Sequence, residues 1–225
     1  MMTMLYRCCR VSTAPLLSAD WNDPAWANAE VLEIGNYRPE SSDHCPQTFA
    51  RLMYDETGLH GIYLVRDQYV RCTRQNYFDT VWKDSCVEFF AKPKDDLGYF
   101  NFEFNCGGAF LCSYRVGERS KVNPELGVTR LPWPVGSQIE VKSSLPQIVD
   151  PEITAPVDWT LQFFIPFSVV EKYVGELGDV KGQTWRINFY KCAEEVSHPH
   201  WGAWAPVDEL NFHLPRCFGE LVFAE

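Results

Sequence analysis

Trp82, Asp84 and Glu88 fall within one short stretch, WKDSCVEFF, and a further acid, Glu103, follows in the stretch FNFEFN. Neighbouring carboxyl groups do two kinds of chemistry with sugars. They work as acid and base on a glycosidic bond, or they hold hydroxyl groups by hydrogen bonds and leave the bond intact. Hydrolysis asks for carboxyl groups about 5 to 9.5 Å apart. Asp84 and Glu88 would lie roughly 13 Å apart on an extended chain, too far unless the chain bends at Lys83-Asp84-Ser85. Glu88 and Glu103, on neighbouring strands, come closer. An aromatic ring stacked on an apolar face, with a few polar groups fixing orientation, is how neutral ligands are held. Trp82 beside Glu88 and the polar series Asn101, Glu103 and Asn105 has that make-up.

The other reactive residues form weaker patterns. His198-Pro199-His200 has a proline between its histidines and no nearby cysteine or carboxylate pair, which argues against zinc. Cys86 and Cys106 fall in strands, where thiols are ordinary filler. Gly107-Gly108 is a turn and no phosphate loop, because no helix follows. The acidic turn Lys94-Asp95-Asp96 lacks the ordered oxygen ligands of a calcium loop, and a structural Ca²⁺ bracing the loops stays open as an expectation.

These side chains need strands to position them. Cys86–Ala91 is rich in β-branched and aromatic residues, which fit a pleated, half-buried backbone. Alternation sends Val87 and Phe89 one way and Cys86, Glu88 and Phe90 the other. In the next strand Phe102 and Phe104 oppose Asn101, Glu103 and Asn105, the pattern of an antiparallel pair with one face in the core. Further strands are predicted near residues 29–34, 48–54, 60–66, 109–116, 138–144, 158–165, 184–191 and 218–223. Pro166 opens one short helix, about 167–174, which Gly175 and Gly178 stop. Asp20 to Trp26 reads as a turn with Pro24 near its first position. Nine to ten strands and one helix describe an all-β antiparallel β-sandwich, jelly-roll-type, in a single domain over residues 20–225, with residues 1–19 an N-terminal extension.

Composition narrows the partners. With 46% hydrophobic and 15% aromatic residues the chain has ample material for a core, which excludes disorder. A net charge of −10 without a basic run excludes nucleic acid and anionic membrane as partners. No run of about 18 apolar residues exists to span a bilayer. MMTMLYRCCR is too interrupted for a secretory signal, and nine cysteines without a C-x-x-C pair read as reduced thiols, which favours a cytoplasmic location.

Taken together, W-x(5)-E-F-F, the F-x-F-N strand, WRINFY, W-A-P and the closing FHLPRCFGELVF resemble family 9 carbohydrate-binding modules, DOMON-like β-sandwiches also found attached to xylanases. The resemblance covers about residues 20–224. It implies non-catalytic binding of a mono- or oligosaccharide, with the terminal ring at the reducing end of a glucan or xylan polysaccharide held between two tryptophans. The first stacking position matches Trp82, the acid six residues later matches Glu88, and the asparagine of the following strand matches Asn105. The second stacking position carries Phe212 in place of tryptophan. Glu103 stands where a basic residue is expected, and Ser85 stands where the family has aspartate. These departures imply a changed sugar, weaker binding or no sugar at all. On this reading Trp82 and Phe212 stack, Glu88, Glu103, Asn105 and Asn188 hydrogen-bond hydroxyls, and Trp204 walls the site. The alternatives are a glycan hydrolase using Glu88 and Glu103, and a haem-binding DOMON-like electron-transfer domain with Met53 and Lys191 as axial ligands. The binding reading needs no cofactor.

Overall fold

A computed structural model describes residues 4–95, 98–117 and 122–224. The strands run β1 (Leu5–Arg10), β2 (Leu32–Glu33), β3 (Asn36–Tyr37), β4 (Gln47–Tyr54), β5 (Gly58–Asp67), β6 (Val70–Cys72), β7 (Cys86–Lys92), β8 (Tyr99–Asn105), β9 (Phe110–Arg115) and β10 (Val128–Arg130). After the one-turn helix α1 (Trp133–Gly136) come β11 (Glu140–Ser143), β12 (Val149–Ile153) and β13 (Val157–Pro166). Helix α2 (Phe167–Val174) then leads to β14 (Thr184–Ala193), β15 (His200–Ala203) and β16 (Gly219–Phe223).

The main path of the sheet is β10-β9-β8-β7-β14-β16-β1-β4-β5-β13-β11. It folds over at β1. Leu5–Cys8 pair in parallel with Glu220–Phe223 of β16, and Cys9 and Arg10 then pair in parallel with Met53 and Tyr54 of β4. The other pairs along this path are antiparallel. The two halves face each other as a sandwich, and their inner faces fill one aromatic core. Phe89 and Phe104, from the β10-to-β16 half, stack on Phe163 of β13 at 5.9 and 5.2 Å between ring centroids. Tyr63 of β5 meets Phe189 of β14 edge-on at 5.9 Å. Gly61 gives the Phe163 ring its room, since a Cβ at that position would run into it.

The alternation read from β7 and β8 holds: Val87, Phe89, Phe102 and Phe104 lie in this core. Helix α2 also falls where Pro166 and Gly175 bound it. Three expectations change. Residues 5–10 do not stand outside the sandwich but form its seam, with Tyr6 and Cys8 buried. Six-residue LYRCCR hides this because it buries only alternate side chains. The run 192–217 also contains a strand, β15, and a second helix, α1, exists as a single turn. Of the acidic turn, Asp96 lies outside the described residues. Lys92 donates its ammonium to the carbonyls of Lys94 and Asp95 at 3.0 and 2.7 Å, so a side-chain cation already faces that turn.

Candidate functional site

Strand alternation that buries the phenylalanines sends the polar partners to the opposite, outer face of β14, β7, β8 and β9. Registry then fixes who meets whom. Glu88 lies directly opposite Glu103, Asn101 opposite Ser113, and Cys86 opposite Cys192. Together with Leu111 and Arg115 these side chains line the floor of a cleft of about 430 Å³, with Cys86 beneath it. Ser113 donates its hydroxyl to Asn101 Oδ1 at 2.5 Å, and Asn101 donates its amide to Glu103 Oε1 at 2.7 Å. This chain of bonds holds Glu103 in one orientation. Glu88 takes a hydrogen bond from the Cys192 thiol, Sγ to Oε1 3.2 Å.

Only 3% of Glu88 and 4% of Glu103 is exposed. Burial, reinforced by the Cys192 thiol and the nearby Glu103, pushes Glu88 well above the usual carboxylate range. Charge is costly in a low-dielectric site next to a second acid. A carboxyl kept neutral in this way can donate a hydrogen bond as well as accept one, so Glu88 presents both functions to a hydroxyl group.

The rim is aromatic. Trp82 sits on a single 3₁₀ turn, Val81–Lys83, that enters β7. Asp84, almost fully buried, anchors this turn: it accepts from the Arg74 backbone N–H and guanidinium, each at 2.9 Å, from Asn105 at 2.9 Å and from Thr73 at 3.3 Å. Glu195 then clamps the outside, pairing with Lys83 at 2.8 Å and with Arg74. Phe212 stacks on Tyr190 with 4.0 Å between centroids and 11° between planes, and Tyr190 donates its hydroxyl to the Phe212 carbonyl at 2.9 Å. Trp201 rises from β15 directly opposite Cys192. Phe78, Leu210, Glu194 and Arg130 complete the wall.

Four of the seven residues expected at the site therefore line the cleft: Trp82, Glu88, Glu103 and Phe212. Three do not, and each has a physical reason. Asn105 spends its amide on Asp84 and the Arg74 carbonyl, and its oxygen accepts from the Ala109 N–H, so it braces the turn under Trp82. Asn188 is satisfied in the same way by the N–H and C=O of Ala205, each at 2.9 Å. Trp204 points inward and meets Phe189 edge-on in the core. The wall next to it is Trp201. The sequence predicts no strand between residues 191 and 218, which hid this; the pairing of His200–Ala203 with β14 puts Trp201 on the face of Cys192. Asn101, Ser113 and Arg115 also join the floor, and the period-2 pattern of β8 and β9 carries that signal. Met53 packs against Trp26 and Ile62 in a separate cluster. Lys191 is buried, donates to His200 Nε2 at 2.7 Å and lies 3.6 Å from Asp67. Among the described residues all nine cysteines are free thiols.

Three solved structures share this architecture. A protein from Bacteroides uniformis ATCC 8492, described as carbohydrate-binding, superposes with a TM-score of 0.81 at 24% identity, covering 99% of this chain and all of its own. A family 9 carbohydrate-binding module from Caldicellulosiruptor kristjanssonii in complex with glucose gives 0.63 at 14% identity, over 97% of this chain and 95% of its own. Such a module from the same organism in complex with cellotriose gives 0.65 at 13% identity, over 98% and 94%. At these identities the likeness speaks for the fold. No curated protein matches the sequence. The sequence model of carbohydrate-binding family 9 matches residues 25–223, which hold the cleft and every strand of the sandwich except β1, and the chain belongs to that family.

Proposed function

We propose that this protein binds carbohydrate without cleaving it, and that the outer-face cleft takes the end of a glycan. The single observation that carries the reading is the coincidence of Trp82, Trp201 and Phe212 with the two carboxyl groups of Glu88 and Glu103 around one cavity. The rings supply apolar faces for stacking on the C–H surface of a pyranose. Glu88, Glu103 and Asn101 offer acceptors and donors to its hydroxyl groups. Glu88 and Glu103 lie directly opposite each other on neighbouring strands and so offer their carboxyl groups to neighbouring hydroxyls of one ring. Phe212 supplies a narrower stacking surface than tryptophan, and Glu103 puts an acid where family members carry a base, which supports a sugar with a different hydroxyl pattern at that edge.

The test is isothermal titration with mono- and oligosaccharides, starting from glucose and cellotriose, which the Caldicellulosiruptor kristjanssonii modules hold, and extending to other cello- and xylo-oligosaccharides and their end-reduced forms. The expected result is saturable binding to one sugar class, weakened when the terminal ring is opened by reduction, with no release of reducing sugar on long incubation. Hydrolysis that depends on Glu88 would replace this reading with catalysis.

A further inference from the structure

We propose that Cys86, Glu88 and Cys192 form a binding site for a thiophilic divalent cation of the zinc class, set into the floor of the cleft. The site goes beyond sugar binding and does not rest on it, although Glu88 serves both.

The geometry comes from strand registry. Cys86 of β7 lies directly opposite Cys192 of β14, and Glu88, two residues along β7, projects on the same face. The two sulfurs and a carboxylate oxygen all fall within 4.8 Å of one another, with Cys192 Sγ 3.2 Å from Glu88 Oε1. A tetrahedral zinc-class ion with bonds of about 2.3 Å to sulfur and about 2.0–2.2 Å to oxygen separates its ligands by roughly 3.5–3.8 Å. Small side-chain rotations on two rigid strands reach that spacing, so little ordering entropy opposes binding.

The chemistry agrees with the geometry. Two thiolates and one carboxylate form a donor set for a soft or borderline ion and a poor one for Ca²⁺ or Mg²⁺. All three groups are at least 97% buried. A divalent ion would displace the two thiol protons and any proton on Glu88 into solvent, and it would supply the positive charge that stabilises the three anions. Glu88 and Cys192 line the cleft and so provide an entry path. Water or a sugar hydroxyl in that cleft would supply a fourth ligand. Cys192 Sγ also lies 3.6 Å from the Trp82 carbonyl, which places the ion next to the turn that carries the stacking ring.

The test uses the full chain, reduced and anaerobic, with the three less buried thiols replaced (Cys9→Ser, Cys45→Ser and Cys217→Ser), titrated with Co²⁺. One equivalent should produce the visible bands of tetrahedral cobalt with thiolate charge transfer, and Zn²⁺ should bleach them. Cys86→Ser should abolish the spectrum, Glu88→Gln should weaken Co²⁺ binding at least tenfold, and Cys8→Ser, a buried thiol elsewhere, should leave it unchanged. Circular dichroism and thermal unfolding identify which variants are folded, and only folded ones are compared; Glu88→Gln keeps the test decisive where Cys86→Ser fails to fold. No tetrahedral spectrum, or one that survives Cys86→Ser or Glu88→Gln unaltered in folded protein, would overturn the site. Cys86 does not line the cleft, so folded Cys86→Ser should still bind sugar: loss of metal with retained sugar binding separates the two sites, and metal binding in a protein that takes no sugar refutes only the sugar reading.

Discussion

At the scale of the residue, Glu88 is the group on which the site turns. It is an acid held among acids, with a thiol as its hydrogen-bond donor. Its raised proton affinity in the fold means that the native state binds more protons than the unfolded chain. Stability from this source is complete below the unfolded glutamate value of about 4.5 and falls as pH rises from there through the folded value. Glu88→Gln, which copies the neutral form, should keep the fold and lose that downward slope. Urea midpoints measured from acid to mildly alkaline pH check this; parallel profiles for the two proteins would show that Glu88 is ionised in the native state. The outward facing of this residue was legible from alternation with the core residues Val87 and Phe89, and its expected role came from the W-x(5)-E resemblance. What was not legible was its protonation. That depends first on burial and then on Cys192 and Glu103, whose positions strand registry sets.

At the scale of the element, the turn before β7 decides where Trp82 stands. Asp84 binds the backbone and side chain of Arg74 as well as Asn105 and Thr73, so the turn is tied to the loop before it and to the end of β8. Asp84→Ala should cost about 2 kcal/mol or more of unfolding free energy. The figure lies below that of a fully buried pair because Arg74 still reaches water. Sugar affinity should fall with it although Asp84 touches no ligand. Denaturant unfolding and titration of the same sample measure both; unchanged affinity in folded Asp84→Ala would remove the positioning role. Elements with clean alternation, such as β7, β8, β13 and β14, could be read from sequence because one face is apolar. β15 could not: His-Trp-Gly-Ala carries no such pattern, and its pairing with β14 sets the facing of Trp201. Asn105 and Asn188 were read as ligand groups on the right face of the sheet. Their amides instead satisfy buried backbone and side-chain groups, a demand that polar spacing does not reveal.

At the scale of the whole molecule, β1 joins the two halves of the sandwich. Tyr6 accepts from the Leu52 N–H at 2.8 Å and lies within hydrogen-bond reach of the Leu52 and Glu30 carbonyls. Removing residues 1–10 would expose the paired edges of β16 and β4 and delete the buried Tyr6 and Cys8. Losing a buried aromatic side chain alone costs about 3–5 kcal/mol, against a total stability of roughly 5–15 kcal/mol for a domain. The truncated chain should fail to fold, whereas Tyr6→Phe should fold with a loss of about 1–3 kcal/mol from the unpaired Leu52 N–H. Thermal unfolding followed by circular dichroism reads both, and a cooperative, native-like melt of the truncated chain would show that the seam is dispensable. The seam matters to function because β14 and β7, which carry Cys192 and Glu88, lie in the half that β1 closes. The central claim is that this half holds a sugar ring in its outer cleft against Trp82. It is tested most directly by intrinsic tryptophan fluorescence during titration with the best-binding oligosaccharide, comparing the native chain with Trp82→Ala. The account predicts a saturable change in the native chain and, in a folded variant, affinity reduced at least tenfold, about 1.4 kcal/mol. Equal affinity in folded Trp82→Ala would contradict it.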